Sequence, residues 1–299
     1  MITPQTEHPD IAAALGVPRL YLKREDLHPY GSHKGRSIPT MIDIKAADGR
    51  KEFAISSSGN AALAAIRHIV HKNSGLKEEE DRLSLSIIVG ERIDTDKEQI
   101  LIVEAKNAGE TSAGRISISQ SPRPLKALFD LIKGNRHDSL RQSVDDNALI
   151  GYESLAAELA RTPELAAVFI PTSSGTAAQA IAEFFVANKK PSAVHIVQTT
   201  SCHPIVNGFD RADSSETSMA DAIVDKVAYR RAKLVEVIKK TAGSGWIATN
   251  TEIARAQDLL RASGVETTAN GALGLAGLIR ACAKGATFTG SVVCVITGK

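Results

Sequence analysis

Lys34 lies in a short turn from Tyr30 to Arg36 and is a residue that could do covalent chemistry. The amine of Lys34 can form a Schiff base with a carbonyl group if desolvation or a nearby positive charge lowers its pKa. Arg36 supplies such a charge two residues further on. Taken alone, the turn is more typical of a solvated surface lysine, so its interpretation depends on the loops that follow.

A second segment has the composition of an anion-binding loop. Between Thr172 and Thr176 four hydroxyl groups surround Gly175, and an almost uncharged helical pattern follows. Backbone amides at a helix start, a glycine that lets them approach closely and hydroxyl donors together favour a phosphate group. An ordinary helix cap needs only one of these residues. The sequence therefore predicts a phosphate-binding loop.

Two further polar segments follow apolar runs. A Ser-Ser-Gly-Asn sequence at 57–60 opens a helical pattern, where loop amides can bind a carboxylate and Asn60 offers both a donor and an acceptor. A strand-to-helix turn capped by the asparagine is the alternative. Thr297 follows the apolar run 292–296, and ligands of parallel α/β sheets bind beyond the carboxyl ends of strands. A frayed terminus is the alternative there.

Short apolar runs alternate with helical ones around these segments, which is typical of βαβ units and a mostly parallel sheet. The pattern predicts an α/β fold of two lobes with a cleft between them, with mostly parallel sheets flanked by helices. A large domain is predicted at 1–37 and 140–299, and a small domain at 38–139. Pro39 indicates either a helix that starts at about Ser37, with the proline in its first turn, or a kinked helix that starts near Lys34. The later start is preferred.

The composition disfavours several classes of partner. The 299 residues include 36 basic and 34 acidic side chains, a net charge of +2, with no basic stripe that would indicate nucleic-acid binding. No apolar run approaches the roughly 20 residues of a membrane helix, and the first residues lack a signal-peptide pattern, so a cytoplasmic protein is expected. The three cysteines, Cys202, Cys282 and Cys294, have no metal-ligand spacing and are expected to be small buried residues.

Together, in this order, the motifs resemble one family. They comprise the Lys-Arg-Glu-Asp-Leu run at 23–27, the Ser-x-Lys-x-Arg turn at 32–36, the Ser-Ser-Gly-Asn loop, the Ser/Gly/Thr loop and Thr-Gly after the last apolar run. This set is similar to that of the fold type II pyridoxal-phosphate enzymes, the tryptophan synthase β superfamily. The nearest branch is that of threonine synthase and the serine/threonine dehydratases.

The resemblance implies pyridoxal 5′-phosphate as the cofactor, with a large cofactor-binding domain, a small substrate-carboxylate domain and the active site in the interdomain cleft. It also implies roles for Lys34 and for residues 57–60. Lys34 would form the Schiff base and later move protons. Asn60 would donate a hydrogen bond to the 3′-oxygen of the pyridine ring. Ser57, Ser58 and Gly59, with Asn60, would bind the carboxylate of a small amino-acid substrate.

The downstream motifs would hold the other end of the cofactor. Thr297 would face the ring nitrogen, and a neutral hydroxyl cannot keep that nitrogen protonated as an aspartate would. This favours removal of the α-proton coupled to loss of a β-substituent. The residues that would bind the phosphate are Ser173, Ser174, Gly175, Thr176 and Ala177.

The implied reaction is elimination or replacement on a small amino acid with a leaving group at Cβ or Cγ. A threonine synthase-like reaction on O-phosphohomoserine is expected first, followed by serine/threonine dehydratase chemistry and by β-replacement of the cysteine or tryptophan synthase type. The first reaction needs a second anion site, for which His203, Arg211 and Arg230 are candidates. His33, where relatives usually have phenylalanine, is either a proton relay or a residue packed under the turn. The resemblance also implies a homodimer.

A non-catalytic protein that binds the cofactor or a phosphorylated metabolite is the alternative of another class. The altered lysine turn and the short C-terminal end favour it. A nucleotide-binding Rossmann protein is disfavoured, because the Gly-x-Gly-x-x-Gly motif is missing.

Overall fold

The computed structural model describes residues 2–57, 59–91, 93, 95–134, 136–212 and 216–298. The chain forms two compact units: unit 1 comprises residues 1–28 and 152–299, and unit 2 comprises residues 29–151. The boundaries predicted from the sequence lay after residues 37 and 139. Residues 29–37, and with them Lys34, therefore belong to the same compact unit as the 57–60 segment.

The helices and strands alternate along the chain. In chain order they are β1 (Gln5–Glu7), α1 (Pro9–Leu15), β2 (Arg19–Arg24), α2 (Lys34–Ala47), β3 (Glu52–Ser56), α3 (Asn60–Ser74), β4 (Ser84–Gly90), α4 (Thr95–Lys106), β5 (Ile116–Ser121), α5 (Pro124–Ile132), β6 (Asp138–Ser139), α6 (Asn147–Leu159), β7 (Leu165–Pro171), α7 (Thr176–Ala187), β8 (Ala193–Thr199), α8 (Arg231–Lys240), β9 (Gly245–Ala248), α9 (Asn250–Ala262), α10 (Ala269–Ala283) and β10 (Ser291–Ile296).

The sheet of unit 1 has the strand order β1-β2-β10-β7-β8-β9. The outer strand β1 is antiparallel to β2, and the other pairs are parallel. All six residues of β10 are buried, as expected for a central strand covered on both faces. Because β10 and β7 are parallel neighbours, their carboxyl ends open on the same edge of this sheet.

Helix α10 lies unusually close to this sheet. A Cβ atom on Gly274 would be 3.0 Å from the carbonyl oxygen of Val295 and 3.2 Å from that of Phe169. One turn later, a Cβ on Gly277 would be 2.2 Å from Cγ2 of Val197. The two glycines therefore allow α10 to approach β7, β8 and β10 directly.

The sheet of unit 2 has the strand order β5-β4-β3-β6 and is parallel throughout. Helices α2 and α3 pack together beside it. Apolar side chains of both helices and of the strands form one core, which includes Ile38, Met41, Phe53, Ile66 and Ile87. Strands β3 and β6 are neighbours, so the segments that follow them lie at one edge of this sheet.

Helix α2 begins at Lys34, so the predicted start near Ser37 was wrong. The amides of Gly35 and Arg36 donate to the carbonyls of Ser32 and His33 at 3.0 and 3.1 Å, which closes a tight turn ahead of the helix. Residues 35–38 are buried. Their packing keeps Pro39 inside the helix in spite of the hydrogen bond that proline cannot donate.

The cysteines are free thiols: Cys202 and Cys294 are buried and Cys282 is partly buried. Burial raises the pKa of the Cys294 thiol. Within the described ranges, no helix combines the length and the apolar character that crossing a bilayer requires.

His195 is a buried, neutral histidine on β8 in unit 1. Its Nδ1 accepts hydrogen bonds from the Ser244 amide at 3.1 Å and from Nε1 of Trp246 at 3.2 Å. Its ring stacks on Phe169 at a centroid distance of 4.5 Å. Burial lowers the pKa of His195 from 6.5 to about 4.

The replacement Gly277→Ala should destabilise the protein by about 1–3 kcal/mol, because the new methyl group would overlap Val197. Urea unfolding followed by circular dichroism measures this. Gly208→Ala is the matched control, since a Cβ there meets no atom within 4 Å and should change the free energy of unfolding by less than about 0.5 kcal/mol. Equal effects of the two replacements would contradict the close approach of α10.

Stability should fall as the pH drops from 6.5 towards 4. In that interval the unfolded chain binds a proton at His195 that the folded chain does not, so the free energy of unfolding decreases by up to about 3 kcal/mol. The midpoint of urea unfolding measured across this range, in wild type and in His195→Gln, tests the effect. A variant with the same pH slope as wild type would contradict it.

Candidate active site

Lys34 is the first residue of α2, and its side chain is half-buried. Its Nζ donates a hydrogen bond to Oε1 of Gln142 at 2.6 Å. Its backbone amide lies 3.3 Å from Oγ of Ser32, which is fully buried. These contacts fix both ends of the lysine with respect to the turn that precedes the helix.

Gln142 follows β6 and is only 7% exposed. Its Nε2 donates to Oγ of Ser37, and the Leu140 amide extends the pairing of β6 with β3 by donating to the Ala54 carbonyl at 2.9 Å. The Lys34 amine is thereby held near the carboxyl end of β6. Sequence analysis missed Gln142, because a strand of two residues has no readable pattern that would single out the residues after it.

The 57–60 segment follows β3, the neighbour of β6. Oγ of Ser57 accepts a hydrogen bond from the Gly59 amide at 3.3 Å, and Asn60 is the first residue of α3. The N-cap position of α3 is Gly59, which has no side chain to cap the helix, so the first turn presents its amides to a ligand. Ser58 lies outside the described residues. Lys34, Ser57, Gly59 and Asn60 thus lie at the same edge of the unit 2 sheet.

The Tyr30 side chain anchors the lysine turn through a chain of hydrogen bonds that sequence analysis missed. Its hydroxyl lies 3.1 Å from Nδ1 of His68 on α3, and Nε2 of His68 lies 2.9 Å from Oδ1 of Asp43 on α2. Burial lowers the pKa of His68. The three residues are far apart in sequence and have no motif spacing, so only the packing of α2 against α3 reveals them.

The Ser/Gly/Thr loop of unit 1 joins β7 to α7. The Thr172 amide donates to the Val197 carbonyl at 2.9 Å, which fixes the start of the loop to β8. Gly175 has φ +88° and occupies the N-cap of α7. A Cβ there would be 2.6 Å from Cδ2 of Leu234, so both the backbone angle and the contact require glycine. The loop therefore delivers the N-terminal amides of α7 to the edge of the sheet.

Hydroxyl groups stabilise this loop from within. Oγ of Ser174 lies 2.9 Å from Oγ1 of Thr176. Oγ of Ser173 donates to Oδ2 of Asp225 at 3.0 Å and accepts from the amides of Val224 and Asp225. A phosphate contact from Ser173 would consequently come from its main-chain amide. Sequence analysis did not identify Asp225, since nothing in its surroundings marks it.

Thr297 is 7% exposed and directly follows β10. Strand β10 pairs in parallel with β7, with Cys294 opposite Phe169, so Thr297 and the Ser/Gly/Thr loop follow adjacent strands at one edge. The next residue, Gly298, accepts a hydrogen bond from Oγ1 of Thr267 at 3.3 Å. Thr297 is therefore in a held position rather than on a frayed end.

The 23–27 motif has a structural role in unit 1. Lys23 is 1% exposed, forms an ion pair with Glu158 and donates to the Thr3 carbonyl at 2.8 Å. Glu25 accepts from Oγ1 of Thr3 at 2.5 Å. The motif thus ties the beginning of the chain to β2 and α6.

His33 and the three residues predicted for a second anion site contact different elements. His33 is the N-cap residue of α2 and is partly buried. Nδ1 of His203 lies 2.9 Å from the Thr199 carbonyl. Arg211 is exposed, and its carbonyl accepts from Nη2 of Arg280 at 3.0 Å. Arg230 is buried next to α7.

Each unit has features that fit one part of a cofactor with a phosphate and a carbonyl group. In unit 1, the start of α7 and its loop suit a phosphate group, and Thr297 follows the neighbouring strand. In unit 2, the half-buried Lys34 has an amine that could react with a carbonyl group. The family model described as pyridoxal-phosphate dependent enzyme matches residues 2–68 and 136–298. The chain belongs to this family, and its cofactor is pyridoxal phosphate.

Solved structures of the same fold cover almost the whole chain. Threonine deaminase isoform 2 from Solanum lycopersicum is 19% identical with a TM-score of 0.79, over 99% of this chain and 83% of that one. Maize serine racemase is 18% identical with a TM-score of 0.75, over 99% of this chain and 87% of that one. An L-serine ammonia-lyase from Rhizomucor miehei is 17% identical with a TM-score of 0.75, over 100% of this chain and 93% of that one. A search of curated protein sequences gave no match. The predicted fold type II architecture and cofactor are confirmed.

Borohydride reduction of the protein loaded with pyridoxal phosphate should attach the cofactor to Lys34. Peptide mass spectrometry identifies the modified lysine, and the visible absorbance should shift on reduction. Lys34→Ala should abolish both signals. Lys45→Ala is the control, because Lys45 lies on the same helix but pairs with Asp145 at 3.0 Å. Modification of another lysine in the wild type would refute this role of Lys34.

Proposed function

We propose that this chain catalyses β-elimination on serine or threonine. Loss of water gives an enamine, and hydrolysis of its imine form takes up one water and releases ammonia and a 2-oxo acid. The observation that carries the proposal is Thr297, a neutral hydroxyl at the edge where the Ser/Gly/Thr loop presents the start of α7. A neutral partner for the ring nitrogen favours proton removal that is coupled to departure of the leaving group. The fold shared with threonine deaminase and L-serine ammonia-lyase structures supports the same reaction class.

The residues of unit 2 would act on the substrate. Pyridoxal phosphate, when bound, supplies the electron sink that makes the Cα proton removable. Nζ of Lys34 would take this proton and return it to the departing β-hydroxyl, which leaves as water. The amides of the 57–60 segment at the start of α3 would bind the substrate carboxylate. Asn60 would orient the ring through its 3′-oxygen.

Gln142 would position the lysine during proton transfer. Its Oε1 accepts from Nζ of Lys34, and its amide nitrogen is fixed to Ser37. A carboxylate at this point would stabilise the ammonium form strongly and hold the proton. A neutral amide oxygen directs the amine and leaves it able to release the proton to the leaving group.

A reaction on O-phosphohomoserine has less support. It needs a second anion site, and the three candidate residues contact separate elements: His203 is bound to the Thr199 carbonyl, Arg211 lies beside Arg280, and Arg230 lies beside α7. The smaller β-hydroxy amino acids need only a carboxylate site and room for a short side chain. Serine and threonine are therefore the substrates to test first.

Purified enzyme should form a 2-oxo acid from L-serine or L-threonine, as measured by coupling to lactate dehydrogenase. Lys34→Ala should lower kcat by at least about 10³-fold, because it removes the group that moves the proton. Lys45→Ala should retain activity.

The same preparation is assayed for release of phosphate from O-phosphohomoserine. It is also assayed for formation of D-serine from L-serine. Phosphate release without 2-oxo acid would replace the proposal with threonine synthase-like chemistry, and D-serine as the main product would replace it with racemisation. Bound cofactor without any product would favour the binding-protein alternative.

A further inference from the structure

Arg230 is a buried arginine whose position beside α7 is unexplained by the roles given so far. It precedes α8 as the N-cap residue and is 7% exposed. Its Nη1 donates to Oε1 of Gln179 at 3.3 Å. Nε2 of Gln179 in turn donates to Oε1 of Glu183 at 3.0 Å, so the amide oxygen of Gln179 is directed towards the guanidinium group. The arginine is held in a defined orientation along the first turn of α7.

The backbone next to Arg230 faces the Ser/Gly/Thr loop. Leu234 lies one turn after Arg230, and its amide donates to the Arg230 carbonyl at 2.9 Å, so both side chains lie on one face of α8. That face meets Gly175: a Cβ there would be 2.6 Å from Leu234 and 3.9 Å from Cβ of Arg230. Arg230 is thus adjacent to the N-cap of α7.

The orientation of Gln179 brings the guanidinium group towards the same end of the helix. The Gln179 amide donates to the Gly175 carbonyl at 2.8 Å, which places Gln179 one turn into α7. Gln179 is thus in the first turn of α7, and its amide head bonds both Arg230 and Glu183. A group that donates to this head lies beside the helix start, where an anion is stabilised.

Asp225 places a negative charge beside the Ser/Gly/Thr loop. Asp225 accepts from Oγ of Ser173 at 3.0 Å, and the carboxylate opposes the binding of a phosphate dianion. The Ser/Gly/Thr loop has no basic side chain of its own. A guanidinium group offers donors in a planar fork that suits phosphate oxygens and offsets the charge of the aspartate.

We propose that Arg230 binds the phosphate group of pyridoxal phosphate, together with the main-chain amides at the start of α7. This assigns Arg230 to the cofactor instead of to a second anion site for a phosphorylated substrate. The inference rests on the cofactor and is independent of whether the reaction is elimination, replacement or racemisation.

The test compares pyridoxal phosphate with pyridoxal, which has the same carbonyl group and ring but no phosphate. Full-length protein stripped of cofactor is titrated with each compound, and binding is followed by absorbance. Arg230→Met should weaken the affinity for pyridoxal phosphate about 10- to 100-fold and leave the affinity for pyridoxal unchanged. Arg230→Lys, which keeps the charge without the fork, should give an intermediate loss. Arg231→Met is the matched control, because Arg231 is the next residue and is exposed.

Two results would overturn the proposal. An unchanged affinity of Arg230→Met for pyridoxal phosphate would show that the phosphate does not meet the guanidinium group. A parallel loss for both compounds would show that Arg230 only supports the fold. If Arg230→Met does not fold, Arg230→Lys decides the question through the ratio of its affinities for pyridoxal phosphate and for pyridoxal. The assays for 2-oxo acid are made on the wild-type enzyme and do not depend on these titrations. Failure of the Arg230 proposal is therefore distinguishable from failure of the proposed reaction.

Discussion

The parallel pairing of β10 with β7 is the interaction on which the candidate site of unit 1 depends. It brings Thr297, the penultimate described position of the chain, to the same edge as a loop that lies more than a hundred residues earlier. Helix α10 maintains this pairing from one face, because Gly274 and Gly277 allow it to contact both strands and β8. A larger residue at either glycine would push α10 away from the strands whose ends carry the site.

Unit 2 uses the same geometry with different residues. The neighbouring strands β3 and β6 end in the 57–60 segment and in the segment that carries Gln142. Lys34 does not follow a strand of this sheet, and it reaches the edge through its hydrogen bond to Gln142. The chain of contacts from Tyr30 through His68 to Asp43 fixes the turn before the lysine, so the position of the amine depends on the packing of α2 against α3.

The candidate residues that sequence analysis identified share one property: each is marked by its local sequence. Hydroxyl groups around Gly175 and a threonine after the apolar run 292–296 can be recognised within a few residues. Gln142, Asp225 and His68 could not be recognised, because their partners are brought to them only by tertiary packing. The start of α2 was misjudged for the same reason, since burial of residues 35–38 outweighed the local preference of Pro39. Local patterns therefore indicate candidate reactive groups, while long-range contacts determine how their side chains are held.

The composition of the Ser/Gly/Thr loop explains why it depends on its surroundings. A loop with several glycines can wrap its amides around a phosphate, but it loses much backbone freedom when it becomes ordered. This loop has a single glycine and is instead ordered by hydroxyl contacts, Ser174 with Thr176 and Ser173 with Asp225. Such contacts preorganise the amides and introduce a carboxylate next to an anion site. Arg230, a buried arginine adjacent to the N-cap of α7, would offset that carboxylate, so the hydroxyl contacts that stiffen the loop also create the need for a positive charge beside it.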